Sequence, residues 1–270
     1  MKLGIGTYTF MWSIGFPGLH PEQPMDTLGL LSKARELGVK VVQFGPNLPL
    51  DQLSADALAD AIRYTEEWGL ELEVGTRGLE TEHLKHQIAI AQRVGARLLR
   101  TVPEVPGGGL PPTPKIADCL RNIIPELNAA GIKLAIENGG IPAEDLKRLL
   151  DSVSSPWVGV TLDTVNSLAV CEGWRHVVRV LAPYTMCLHV KDFVVERVRH
   201  MMGFKVEGRP AGRGQLDIPW LLETLRVNGV SPNAILELWP PEQKTLQETI
   251  ALEQAWAVES ILYLRRFISD

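Results

Sequence analysis

Short runs rich in Val, Ile and Leu alternate with longer segments of helical periodicity along this whole chain. That alternation restricts the fold to a few parallel α/β architectures. Eight strands are predicted: KLGIGTY from Lys2, VKVVQF from Val39, LELEV from Leu70, ARLLRTV from Ala96, IKLAIEN from Ile132, WVGVTLD from Trp157, MCLHVKD from Met186 and AILEL from Ala234. Their apolar character is that of strands covered on both faces. Between them, Asp26 caps a helix with Leu28, Leu31, Ala34 and Leu37 on one face and Gly38 as its stop. Further helices are read at about 53–68, 80–94, 114–130, 142–153, 174–181, 218–228 and 245–267, with Asp217 capping the seventh and Pro219 in its first turn.

Eight such units without a linker, a longer repeat or a low-complexity segment fit one (β/α)8 barrel spanning residues 1–270, a usual size for that fold. The competing doubly wound sheet brings a Gly-rich phosphate turn after its first strand, and none is present. The opening MKLGIGTYTFMWSIGF reads as a strand and loop with no small-residue cleavage site. No stretch approaches the roughly 18 to 20 apolar residues that span a bilayer. A net charge of −5 lacks the basic footprint that nucleic acid calls for. Cys119, Cys171 and Cys187 are odd in number and match no zinc spacing, so they read as reduced packing residues of a cytoplasmic protein.

Barrel strands are branched and apolar inside, so charges at their ends carry the information. Glu137 ends the fifth strand, Asp163 the sixth and Glu237 the eighth, while His189 lies in the seventh. The spacings are 26, 26 and 48 residues, so the four side chains are expected at equivalent heights on neighbouring strands. Strands about 4.8 Å apart let them converge on one point. Three carboxylates and an imidazole make a hard, mainly oxygen site for one divalent ion. Mn²⁺ or Mg²⁺ suits it, and Zn²⁺ or Co²⁺ would fit as well. Without an ion, three negative charges would repel one another in a desolvated cleft.

Weaker candidates surround this set. Asn166, three residues past Asp163, is placed either to bind a water or hydroxyl or to close a turn. Lys191 shares the inward face of His189 and would steady a developing oxyanion or a carboxylate. Arg100 breaks an apolar fourth strand, either as a partner of Glu137 or Glu73 beside the site or as a structural ion pair. The segment from Phe193 to Arg213 is long for a connection at the mouth and brings Arg213 among several cations toward a substrate pocket. The Gly-rich run Pro106–Pro112 is either a hinged lid or a connector. Trp12 and Trp239 either stack on a sugar or lie buried under loops. His83, His86 and His176 fall on helices and are expected in solvent, and His20 on the surface.

The strand-end motifs resemble the xylose isomerase-like sugar isomerase and epimerase barrels across essentially the whole chain. The matching pieces are Glu137 in IEN, Asp163 in LDTVNS, His189 in LHVKD, the run PAGRGQLD from Pro210 to Asp217, and Glu237 in ILELW. The resemblance implies that Glu137, Asp163, His189 and Glu237 bind one divalent metal, with Glu137 and Glu237 as the acid–base pair. It also implies a small sugar or keto-sugar substrate and a possible homo-oligomer; the apolar end helix 256–267 is either a contact for it or core packing. Three positions depart from the ketose 3-epimerases of the family. Asn166, Ala143 and Cys187 stand where those have His, Glu and His, which puts a free ketose substrate in doubt.

The expected activity is therefore isomerisation or epimerisation of a sugar or keto-sugar. Proton transfer would run through a metal-bound cis-enediolate, with the two glutamates as acid and base in either order. The alternative is a metal-dependent lyase on the same chemistry, a keto-inositol dehydratase or a 3-keto-glycoside eliminase. A barrel that keeps the metal for structure alone is disfavoured by the intact glutamate pair.

Overall fold

Eight parallel strands close into a barrel in this computed structural model, which describes residues 1–105 and 107–269. The barrel strands are β1 (Leu3–Gly6), β2 (Val41–Phe44), β3 (Glu71–Arg77), β4 (Leu98–Val102), β5 (Lys133–Glu137), β6 (Val158–Asp163), β7 (Thr185–Val190) and β10 (Asn233–Leu236). Each falls within or beside its predicted run. β8 (Asp192–Arg197) and β9 (Phe204–Arg209) form a separate antiparallel hairpin inserted after β7. The sequence read this segment as a long irregular connection, and the structure corrects that.

The helices are α1 (Met11–Ile14), α2 (Thr27–Glu36), α3 (Ala55–Trp68), α4 (Thr81–Arg93), α5 (Thr113–Ala130), α6 (Ala143–Val153), α7 (Trp174–Leu181), α8 (Ile218–Val227) and α9 (Leu246–Leu264). Their ends follow local chemistry. Asp26 accepts the Gly29 N–H at 2.8 Å, and Asp217 accepts that of Trp220 at 3.1 Å. Thr245 and Glu248 cap α9 reciprocally. Gly131 ends α5 in the left-handed region, at φ 68°. Among the described residues no helix is long and apolar enough to cross a membrane.

The main core lies between the barrel wall and the helices, with Leu3, Ile5, Leu30, Leu99, Leu134, Ile136, Leu162 and Leu188 almost fully buried. A second apolar cluster fills the barrel itself: Val41, Leu98, Ala135, Cys187 and Ile235. Side chains alternate along a strand, so the next inward position on each of these strands is two residues on. Those positions are Gln43, Arg100, Glu137, His189 and Glu237, a polar layer resting on an apolar floor.

Two details of register aim this layer. Asp163 pairs with His189, but Glu137 pairs with Thr161 and His189 with Ile235, so the four expected ligands are staggered by two residues on two of the strand pairs. Equal height was the expectation; the stagger is what a closed, tilted barrel imposes. In addition, Val160 pairs with Thr185 and Thr161 with Cys187, which leaves one extra residue in β7. This irregularity sets His189 rather than Leu188 opposite Asp163, so both point into the barrel.

Candidate metal centre

The ligating atoms of Glu137, Asp163 and His189 lie within 4.8 Å of one another, and all three residues are buried. His189 Nδ1 is 3.6 Å from Glu137 Oε2, 3.8 Å from Asp163 Oδ2 and 3.2 Å from Glu237 Oε1. This nitrogen is buried and makes no hydrogen bond. A ring nitrogen that faces three carboxylates and bonds to none of them is suited to a cation between them. Glu237 stands at the edge of the group, since its second oxygen faces Lys191 at 2.7 Å.

Two further cations reach this centre. Arg100, itself buried, places Nε and Nη2 on Glu137 Oε2. Its partner is thus Glu137 and not Glu73. Lys191 Nζ lies 2.8 Å from Asp163 Oδ2. At an effective dielectric constant of 20, two like charges ~4 Å apart repel by about 4 kcal/mol, so these cations offset a substantial cost. Three carboxylates against Arg100 and Lys191 leave one net negative charge, and a divalent ion would reverse it to one net positive charge.

Burial by itself raises the carboxyl of Asp163, but the Lys191 ammonium and His189 outweigh it and hold this group well below the usual carboxylate range. Burial is likewise outweighed at Glu237, which His189 and Lys191 lower. Lys191 is raised against burial by Asp163, Glu237 and Glu137. Asp163 and Glu237 are therefore anionic where a metal needs them to be. These residues fit a hard divalent ion.

Asn166 joins the site: its Nδ2 donates to Glu137 Oε1 at 2.6 Å, and its Oδ1 lies 3.4 Å from Lys191 Nζ. Asp163 Oδ1 accepts the backbone N–H groups of Val165 and Asn166, which shapes this turn and leaves Oδ2 facing inward. Asn138, beside Glu137, clamps β6 by accepting the Asp163 N–H and donating to its carbonyl.

A cleft of about 450 Å³ opens above the cluster, lined by Tyr8, Arg77, Arg100, Glu137, Asn166, Lys191 and Glu237 among others. Tyr8 and Arg77 were not singled out from sequence; Arg77 ends β3, where the same signal applies, whereas Tyr8 lies in the turn just past β1 and carries no charge. A larger cavity of about 950 Å³ lies at the opposite end, lined by strand-start residues such as Glu71, Lys133 and Asn233. The converging carboxylates lie at the C-terminal mouth, the end at which sites of this architecture are usually found.

Other candidates lie elsewhere. Arg213 does not join the cluster; it is exposed and its guanidinium pairs with Glu259 on α9. The reason is the PAGRGQLD run itself. The N–H groups of Gly212, Gly214 and Leu216 converge on the buried Asp192 carboxylate at 2.8, 2.9 and 3.0 Å. A Cβ on Gly214 would overlap Asp192 Oδ1, so the motif is a backbone nest around a carboxylate. Trp12 and Trp239 are half-buried and do not line the cleft. His83 is half-buried and bonded to Thr76 Oγ1 at 2.7 Å, whereas His20, His86 and His176 are exposed as expected. Cys187 is buried and Cys119 partly so, but Cys171 is exposed and fills no core. Of the Gly-rich run, Pro106 lies outside the described residues; Gly107–Gly109 form a turn, and Leu110 lines the cleft.

The sequence profile of the xylose isomerase-like TIM barrels matches residues 31–265, and the chain belongs to that family. It is 31% identical over 265 residues to 3-oxo-isoapionate decarboxylase of Pectobacterium atrosepticum, covering 98% of this chain and 95% of the relative. D-psicose 3-epimerase of Clostridium cellulolyticum H10 with D-tagatose superposes at a TM-score of 0.76 with 15% identity and full coverage of both chains. A xylose isomerase-like TIM barrel protein from Mycobacterium smegmatis in complex with magnesium superposes at 0.68 with 15% identity over 97% of each chain.

Proposed function

We propose that this chain is a divalent-metal-dependent lyase that decarboxylates a small oxo-sugar acid. The observation that carries the reading is that each glutamate of the acid–base pair is matched by a cation: Glu137 by Arg100 and Glu237 by Lys191. An enzyme that abstracts a proton from carbon needs a basic carboxylate, and pairing with a cation makes a carboxylate less basic. Decarboxylation needs no such base, because the electron pair comes from the breaking C–C bond. The net positive charge of the loaded site also favours an anionic substrate over a neutral ketose. The full-length likeness to a decarboxylase supports the same class.

A divalent ion on Glu137, Asp163 and His189, with Glu237 completing the set, would supply Lewis acidity toward a substrate carbonyl. Mn²⁺ or Mg²⁺ suits these ligands best. The protein groups do the rest. Lys191 and Arg100 stabilise the substrate carboxylate and the oxygen that gains charge. Cleavage releases CO2 and leaves the electron pair in an enediolate. The Lys191 ammonium, which lines the same cleft, then gives a proton to that carbon and is reprotonated from solvent, while Glu237 holds it in place through Oε2. Asn166 holds Glu137 and offers its amide to a substrate hydroxyl.

Epimerisation or isomerisation is the second reading, favoured by Glu137 and Glu237 lining one cleft. Incubating the Mn²⁺-loaded protein with a panel of oxo-sugar acids and ketoses in deuterated water separates the two. A product lighter by CO2 and carrying one deuterium on carbon supports the decarboxylase. A product of unchanged skeleton with one deuterium moves the assignment to the epimerase.

A further inference from the structure

The two ring nitrogens of His189 face different worlds. Nδ1 looks into the carboxylate cluster, while Nε2 looks across the barrel to Gln43 Oε1 at 2.8 Å. An amide can sit either way round, so its surroundings must decide which end meets the histidine. Gln43 Nε2 lies 2.9 Å from Glu73 Oε2; burial raises this carboxyl while the amides of Asn233 and Gln43 lower it, and in its ionised form it only accepts, so the nitrogen belongs there. The other oxygen, Glu73 Oε1, accepts from Asn233 Nδ2 at 2.9 Å. Asn233 is oriented in turn, because its Oδ1 accepts the backbone N–H of Lys2 at 3.3 Å. A backbone N–H cannot be turned around. With Glu73 ionised, the direction of every bond from Lys2 through Asn233, Glu73 and Gln43 to His189 is thereby set. Cys187 fits this order as a thiol, 3.6 Å from Glu73 Oε2.

We propose that Gln43 and Glu73 are positioning residues that keep the proton of His189 on Nε2 and so present Nδ1 as a lone pair to the divalent ion. Gln43 and His189 are at least 95% buried and away from both cavities' linings, whereas Glu73 borders the larger cavity, so removing Gln43 leaves His189 Nε2 without a partner. Packing alone would be indifferent to the direction of the Gln43 amide. Metal ligation is not, because a reversed amide would put a donor against Nε2 and drive the proton to Nδ1. The inference rests on the metal reading above, and its test distinguishes the two.

Titration calorimetry of Mn²⁺ into metal-free wild type, Gln43→Leu, Glu73→Leu and Glu73→Gln provides that test. Removing an outer partner of a ligating histidine typically weakens metal binding about 10–100-fold, and Gln43→Leu and Glu73→Leu should both do so. Glu73→Gln has one carbonyl oxygen for two donors, Gln43 and Asn233, and should bind with an affinity between those of wild type and Glu73→Leu. The Mg²⁺-loaded wild type, labelled with 15N-histidine, should also show a slowly exchanging Nε2–H on His189. That measurement stands even if a variant does not fold. Equal Mn²⁺ affinity in wild type and Gln43→Leu, or a His189 proton on Nδ1 in the loaded protein, overturns the proposal. Wild type that binds no Mn²⁺ overturns the metal site itself, and this inference falls with it.

Discussion

The ammonium of Lys191 stands 2.7 Å from Glu237 Oε2, inside the ring of groups that would hold the metal. It also reaches Asp163, so it neutralises two carboxylates that a divalent ion would neutralise as well. Lys191→Met removes a competing charge and should leave Mn²⁺ bound at least as tightly as in wild type. It also removes a donor for the oxygen that gains charge, a loss that costs about 10²–10³-fold in turnover at comparable sites. Calorimetry and steady-state kinetics on the same variant measure the two effects. Weaker metal binding in Lys191→Met would refute the competition.

Arg100 and Glu137 form a buried ion pair within the polar layer of the barrel. Breaking such a pair from one side costs about 3–5 kcal/mol, because an uncompensated charge stays behind. Arg100→Met should therefore lower the unfolding free energy of the metal-free protein by roughly that amount in urea titration. Adding Mn²⁺ should recover part of the loss, since the ion takes over the charge of Glu137 and stabilises by mass action. A variant as stable as wild type without metal would mean that the Arg100–Glu137 pair adds nothing to the metal-free fold.

Asp192 gathers four backbone N–H groups, from Phe193, Gly212, Gly214 and Leu216. Its side chain ties the base of the β8–β9 hairpin to the start of α8. Asp192→Ala leaves these donors buried without a partner, at about 1–3 kcal/mol for each that water cannot reach. The expected result is faster amide exchange confined to residues 192–216, with the barrel strands still protected. Exchange that rises uniformly over the chain would show instead that the nest holds the whole barrel.

What the sequence made legible follows from what each residue needs. The barrel strands stand out because both of their faces are covered, so Leu134 and Ile136 are as apolar as Ala135 between them. The hairpin has faces in water, and Glu196, Arg197, Phe204 and Lys205 are exposed, so no strand signal survives there. Charges at strand ends exposed Glu137, Asp163, His189 and Glu237, and the same rule extends to Arg77. Gln43 carries no charge and so escaped that rule, although it lies two residues beyond Val41 on an inward face. Arg213 was misplaced because a loop position gives no direction. Only the nest around Asp192 reveals that its side chain turns out to Glu259.

Glu253, on α9, accepts the N–H groups of Trp12 at 2.8 Å and Ser13 at 3.0 Å, and the Ser13 hydroxyl at 2.6 Å. It thus ties α1, just past the first strand, to the last helix. Burial pushes its carboxyl from 4.5 up to about 7, even against these donors. The folded protein then binds this proton more tightly than the unfolded chain does. Its contribution to stability is fully present below about pH 4.5 and lost as pH rises to about 7. A tenfold difference in proton affinity is worth about 1.4 kcal/mol, so the loss amounts to roughly 3 kcal/mol. Glu253→Gln cannot titrate, and its stability should lack this slope. Urea unfolding of both proteins at several values between pH 4.5 and pH 8 isolates the effect, since other groups contribute equally to each. The advantage of wild type over Glu253→Gln should shrink steadily with rising pH and level off above 7. Parallel curves would mean that the three donors keep Glu253 ionised throughout, with burial too weak to compete.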